Sequence, residues 1–208
     1  MHYSVIHAVE TWHKALAITF DDGPNPEYTP QIQQIFQEFG GKATFYVIGR
    51  NVAQFRDIAL SLAEDGHELG NHTYTHPFLT QLEPQQRRSE LEAADRIIAE
   101  ITGGSPATFR PPFFDMNEEV FRTVKEFGYT AIGAVNGEAE DWGLPGVGHI
   151  LNKTREQIRP GCILIFHDGI GDRSQTMEAV RTLVPELLEQ GYELVTVSRL
   201  LEISKTEQ

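Results

Sequence analysis

The 208-residue sequence predicts an α/β fold built on a parallel sheet, on three observations. Short apolar runs alternate with amphipathic segments along the whole chain, the pattern of βα units and not of hairpins. The amphipathic segments tend to carry Pro just inside their starts and Gly just past their ends, as helices do. Seven runs qualify as strands, and no repeat, low-complexity tract or linker divides them. One domain spanning 1–208, with a core of about 15–202, is therefore expected.

The first strand is expected at 15–20, followed by a helix at 29–39 whose Ile32, Ile35, Phe36 and Phe39 recur at helical spacing. A second strand at 43–48 leads to a helix at 51–65 that stops before Gly66. The third strand, 68–71, precedes a helix at 84–101, opened by Glu83-Pro84 and closed by Gly103-Gly104. Strands at 107–110 and 130–135 flank a helix at 117–127, which Gly128 ends. A weaker helical pattern at 150–158 precedes the strand at 162–166. A helix at 174–189 ends before Gly191, and a last strand follows at 193–197. The first fourteen residues and the tail after about Ser204 read as peripheral.

Composition narrows the class. Hydrophobic content of 40% and charged content of 23% are those of a soluble globular chain. No stretch approaches the roughly 20 apolar residues of a membrane span. Met1-His2-Tyr3-Ser4 lacks the basic start and apolar stretch of a signal peptide, which suits a cytoplasmic chain or a mature, trimmed secreted form. A single cysteine, Cys162, cannot form an internal disulfide, and its apolar run makes it a small buried residue. The formal net charge of −13 repels nucleic acid but does not oppose a neutral glycan.

The chemistry-bearing residues start in two segments. Thr19-Phe20-Asp21-Asp22-Gly23-Pro24 sets adjacent carboxylates at the end of the first apolar run. His72-Thr73-Tyr74-Thr75-His76 sets two imidazoles four residues apart. Alone, the first reads as a turn and the second as two surface histidines. Together, one carboxylate and two histidines make a three-ligand set that leaves a divalent metal an open position for water. Zn2+ suits such ligands, and Co2+, Ni2+ or Mn2+ also fit. The remaining carboxylate is available as a base. Spacing does not decide which aspartate does which, but alternation along a strand turns their side chains to different sides.

Three later segments complete a pattern: Arg110-Pro111-Pro112-Phe113, Glu138-Ala139-Glu140-Asp141-Trp142 and Leu164-Ile165-Phe166-His167-Asp168. In this order the five motifs resemble those of NodB-homology polysaccharide deacetylases, carbohydrate esterase family 4. They span 19–168, and the flanking elements extend the match to about residue 202. The resemblance implies a distorted (β/α)7-type barrel, which seven strand candidates fit better than an eight-stranded one. It also implies one divalent metal and an acetylated glycan substrate: peptidoglycan, chitin oligomers or a surface polysaccharide, with O-acetyl xylan as the ester variant.

The resemblance further assigns roles. Asp22, His72 and His76 become the metal ligands and Asp21 the catalytic base, paired with Arg110. The backbone N–H of Phe113 becomes the oxyanion donor, at a position where the family more often has Tyr. His167 is the general acid, a role its near-neutral titration suits, and Asp141 is its partner. Trp142 and Leu164 wall a pocket for the acetyl methyl group. Glu138 stands where the family often has Asp. Two other readings fit less of the pattern: an amidase acting on a small metabolite, and a catalytically weak glycan-binding domain, which needs neither Asp21 nor His167. No Gly-x-Ser-x-Gly elbow or phosphate-binding glycine loop is present, which argues against a serine hydrolase or nucleotide enzyme.

Overall fold

The structure, a computed structural model, describes residues 4–206. Among these, β1 (Ala15–Asp21), β2 (Thr44–Val47), β3 (Glu68–Asn71), β4 (Thr108–Phe109), β5 (Thr130–Ala131) and β6 (Ile163–His167) form a curled parallel sheet in the order β5-β4-β3-β2-β1-β6. β7 (Glu193–Leu194) pairs with the lower end of β1. The helices between them are α1 (Thr29–Phe39), α2 (Gly49–Gln54), α3 (Arg56–Glu64), α4 (Pro84–Thr102), α5 (Glu118–Glu126), α6 (Val147–Arg155), α7 (Ser174–Glu189) and α8 (Val197–Thr206).

β1 shows how the barrel is built. All seven of its residues are buried, so both faces are covered, as a parallel strand requires. Leu16, Ile18 and Phe20 face outward into the large core beneath the helices. Ala15 and Ala17 face inward, into a smaller core with Tyr46, Ile132 and Ile163. The inward row continues as Thr19 and Asp21, so one strand face runs from an apolar barrel floor to a polar mouth.

β5 and β6 are not direct neighbours, and their facing edges need partners. Below, Ile6 bridges to Ile132 and Ala8 to Cys162. Above, Val135 N–H donates to the Ile163 carbonyl at 3.0 Å. Asn136 then acts as a piece of strand: its Oδ1 accepts from Ile165 N–H at 2.7 Å and its Nδ2 donates to the Ile165 carbonyl at 3.0 Å. This irregular seam is the distortion of the expected barrel.

The seam corrects the expectation that the first fourteen residues are peripheral: 5–9 fill the gap, and Ile6 and Val9 pack against the inner core. Residues 1–3 and 207–208 of the expected peripheral ends lie outside the described residues. The expected helix 51–65 breaks into α2 and α3 at Phe55, which leaves helical space at φ −121°, ψ 50°. The expected strand 193–197 is shorter, because Val197 opens α8 instead. Val197, Leu200 and Ile203 of α8 close the barrel floor. The Glu68 carboxylate accepts from Ser198 N–H at 2.9 Å, at the start of that helix where negative charge is favourable.

Candidate active-site cleft and metal centre

β1 delivers Asp21 and Asp22 together. Asp21 ends the strand, and Asp22 adopts a left-handed backbone at φ +76°. Asn51 Nδ2 holds the Asp22 carbonyl at 2.8 Å, and a Cβ on Gly169 would collide with that carbonyl, so position 169 admits only glycine. The left-handed turn overrides the strand alternation expected from sequence. Both carboxylates therefore face the same imidazole: His72 Nε2 lies 3.8 Å from Asp21 Oδ2 and 3.5 Å from Asp22 Oδ1.

The loop after β3 supplies the histidines. His72 Nδ1 donates to the Arg110 carbonyl at 2.7 Å, which turns Nε2 to the aspartates. His76 Nε2 is 3.1 Å from the same Asp22 Oδ1. Thr73 and His76 also have positive φ, +68° and +65°. Each such residue costs roughly 1–3 kcal/mol, and strain of this kind gathers at functional sites.

Asp22, His72 and His76 each offer one ligand atom within 4.8 Å of the others. Asp22 Oδ1 is a buried acceptor with no hydrogen-bond donor, facing two imidazole nitrogens. A carboxylate oxygen and two imidazole nitrogens converging in a largely buried space fit a divalent cation and its preference for His and carboxylate ligands. Burial alone would raise the Asp22 pKa, but the two imidazoles outweigh it and hold the carboxyl well below its usual range.

Arg110 lies fully buried under the cleft floor. Its Nη1 donates to Asp21 Oδ1 at 2.7 Å and to Thr19 Oγ1 at 2.6 Å, and its Nη2 donates to the Gly133 carbonyl at 2.7 Å. The guanidinium lies over the Tyr46 ring, 4.3 Å from its centroid. Thr19 and Tyr46 are residues that sequence reasoning missed. The signal for Thr19 was available, because it sits two residues before Asp21 on the same strand face.

β6 delivers His167 opposite. Its Nδ1 pairs with Asp141 Oδ1 at 2.8 Å, while Asp141 Oδ2 accepts from His167 N–H at 2.8 Å and Thr176 Oγ1 at 2.9 Å. Burial would lower the His167 pKa, but the Asp141 carboxylate outweighs it and, with Asp21 and Asp22, raises it to about 9. Asp168, wholly buried, is pushed up to about 7 by that burial despite a hydrogen bond from Thr29.

These groups open into one cleft of about 740 Å³, lined by Asp21, Asp22, His72, His76, Asp141 and His167. Its rim is aromatic and exposed: Phe113, Phe114 and Trp142, with Ile170. Phe113 sits in a turn at φ +58° and stacks on Phe78 with ring centroids 4.0 Å apart. Arg173 ties the rim together by donating to the carbonyls of Trp142 and Gly169 at 3.1 and 2.8 Å. Leu164 does not line the cleft. Alternation along β6 turns it outward into the large core, and its neighbour Ile165 takes the wall position. Glu138 points away, to Lys153 at 3.3 Å.

Ionisable side chains gathered at the carboxyl ends of parallel strands are where barrel enzymes carry out their chemistry, and this chain has that organisation. It belongs to the polysaccharide deacetylase family, whose model matches residues 8–132. It is 38% identical to a peptidoglycan-N-acetylglucosamine deacetylase of Bacillus cereus, over 90% of this chain and 88% of the relative. It is 31% identical to a chitooligosaccharide deacetylase of Azorhizobium caulinodans, over 86% of this chain and 91% of that one. The fold matches a crystal structure of a peptidoglycan N-acetylglucosamine deacetylase with TM-score 0.89 and 27% identity, covering 95% of this chain and 92% of the other. A CE4 family pseudoenzyme from Bacillus anthracis matches with TM-score 0.87 and 28% identity, over 98% of this chain and 70% of its own. The fold therefore does not by itself imply turnover; the side chains must.

Proposed function

We propose that the protein is a metal-dependent deacetylase that hydrolyses N-acetyl groups on a glycan of the peptidoglycan or chitin-oligomer type. One observation carries the reading. The Asp22–His72–His76 cluster shares its cleft with an arginine-bound aspartate and a carboxylate-bound histidine. A binding domain has no use for that combination.

Asp22, His72 and His76 would hold the metal. When bound, it supplies a Lewis acid that polarises the acetyl carbonyl and acidifies a water. Asp21 is the base. Arg110 occupies Oδ1 and leaves Oδ2 turned into the cleft to take the proton of the attacking water. The Phe113 N–H donates to the carbonyl oxygen as it gains charge. His167, held at Nδ1 by Asp141 and protonated below about pH 9, gives its Nε2 proton to the leaving nitrogen. The C–N bond breaks, and acetate and a glycan amine result. The aromatic rim offers flat apolar faces to sugar rings.

The test is acetate release from chitin oligomers, peptidoglycan and acetyl-xylan, with the protein stripped by a chelator and then reloaded with Zn2+ or Co2+. The expected outcome is metal-dependent release from the first two substrates. Release from acetyl-xylan alone would make the protein an esterase, and release from none would remove the enzyme reading.

A further inference from the structure

The loop carrying His72 and His76 has a bonded N–H at each position from Thr73 to His76. Thr73 N–H donates to Asn71 Oδ1 at 2.8 Å, and His76 N–H to Thr73 Oγ1 at 3.0 Å. The two between them converge on one atom of another element: Tyr74 N–H and Thr75 N–H both donate to Glu90 Oε2, at 2.9 and 2.7 Å. Glu90 Oε1 accepts from Thr75 Oγ1 at 2.7 Å. Glu90 lies on α4, and the carbonyl of its buried neighbour Leu91 accepts from Asn71 Nδ2 at 3.0 Å. Two consecutive residues of α4 thus brace the loop, one at its crest and one at its root.

This loop needs such a brace. Two of its non-glycine residues are left-handed, a conformation that persists only where surrounding structure imposes it. Glu90 belongs to none of the five motifs, and its carboxylate touches backbone and a threonine hydroxyl, not a histidine.

We propose that Glu90 is a positioning residue for the metal centre: by holding Tyr74 and Thr75 N–H it sets the spacing of His72 and His76 about Asp22, and so the affinity for a divalent cation. The inference rests on the metal reading above. Partners outside the ligand set typically alter metal affinity by about 10–100-fold.

The experiment measures Zn2+ affinity of the chelator-stripped protein by competition with a chromophoric chelator. Glu90→Ala should bind about 10–100-fold more weakly than wild type. At saturating metal its turnover should largely return. Glu90→Gln should stay within a few-fold of wild type, because one amide oxygen can accept from both N–H groups and the amide nitrogen can donate to Thr75 Oγ1. Arg88→Ala, on the exposed face of the same helix, should bind as wild type does. The absorption spectrum of the Co2+-loaded protein should shift in Glu90→Ala and not in Arg88→Ala. Wild-type affinity in Glu90→Ala overturns the proposal. So does a loss in Glu90→Gln as large as in Glu90→Ala, which would make the effect one of charge and not position. If Glu90→Ala does not fold, Glu90→Asp replaces it, with the charge kept, the reach shortened and the same loss required. Wild-type protein that binds no Zn2+ overturns the metal reading itself, whereas equal binding in all variants overturns only the role of Glu90.

Discussion

Asp21 and Asp22 are adjacent and nearly equally buried, yet their partners differ in kind. Asp21 Oδ1 is taken by a guanidinium, whereas Asp22 Oδ1 has no donor and faces two imidazole nitrogens. This difference yields a prediction. Asp21→Asn should retain metal, because the three ligand side chains are untouched, and should lose about 10²–10⁴-fold in rate, the usual cost of a general base. Asp22→Asn should lose metal and activity together, with activity partly restored by excess metal. Bound metal and acetate release measured on both variants check this. A metal-free Asp21→Asn beside a loaded Asp22→Asn would reverse the two roles. The motif made both residues visible in the sequence. What it hid was their common orientation, because strand alternation holds only while φ stays in the β region, and Asp22 leaves it. Leu164 misled for the opposite reason: alternation does hold along β6, and it turns position 164 outward and 165 inward.

At the scale of elements, strands were legible wherever apolar runs were long, as in β1 and β6. Helices were legible where they end on glycine, as α4 does at Gly103 with φ +80°. The seam was not legible, because it is made of isolated bridges and a side chain rather than a periodic run. α8 was hidden because its first apolar residue, Val197, merges with the strand pattern before it. Asn136 ties the seam through its side chain, with two hydrogen bonds to the Ile165 backbone. Asn136→Ala would leave the buried Ile165 N–H and carbonyl without their side-chain partner, at about 1–3 kcal/mol for each orphaned group. The urea midpoint should fall with an unchanged m-value. A loss under about 0.5 kcal/mol, the range of an ordinary surface substitution, would mean that the seam is held by the backbone alone. Because Ile165 lies between Leu164 and the strand end at His167, kcat should fall more than stability alone explains if loosening reaches the acid.

Across the whole molecule, buried ionisable groups make stability depend on pH, and two histidines pull in opposite directions. His67 is depressed to about 4, chiefly by burial. Its stabilising contribution is present above the unfolded value of about 6.5 and is lost as pH falls toward 4. His167 is raised to about 9, because Asp141 outweighs its burial. Its contribution is complete below about 6.5 and is lost as pH climbs to 9, since the unfolded chain gives up that proton first. Asp168, raised to about 7, adds to the loss just above pH 6.5 and then stops. Chelator-stripped protein should therefore lose stability steadily between about pH 6.5 and 9, with a contribution from His167 of up to about 3 kcal/mol. His167→Gln keeps a hydrogen-bond donor for Asp141 but cannot titrate, so its stability should be nearly flat from pH 7 to 9. Thermal unfolding of both proteins at half-unit pH steps decides between the possibilities. Equal slopes would show that His167 does not carry the proton, and the general acid of the proposed reaction would then have to be sought elsewhere in the cleft.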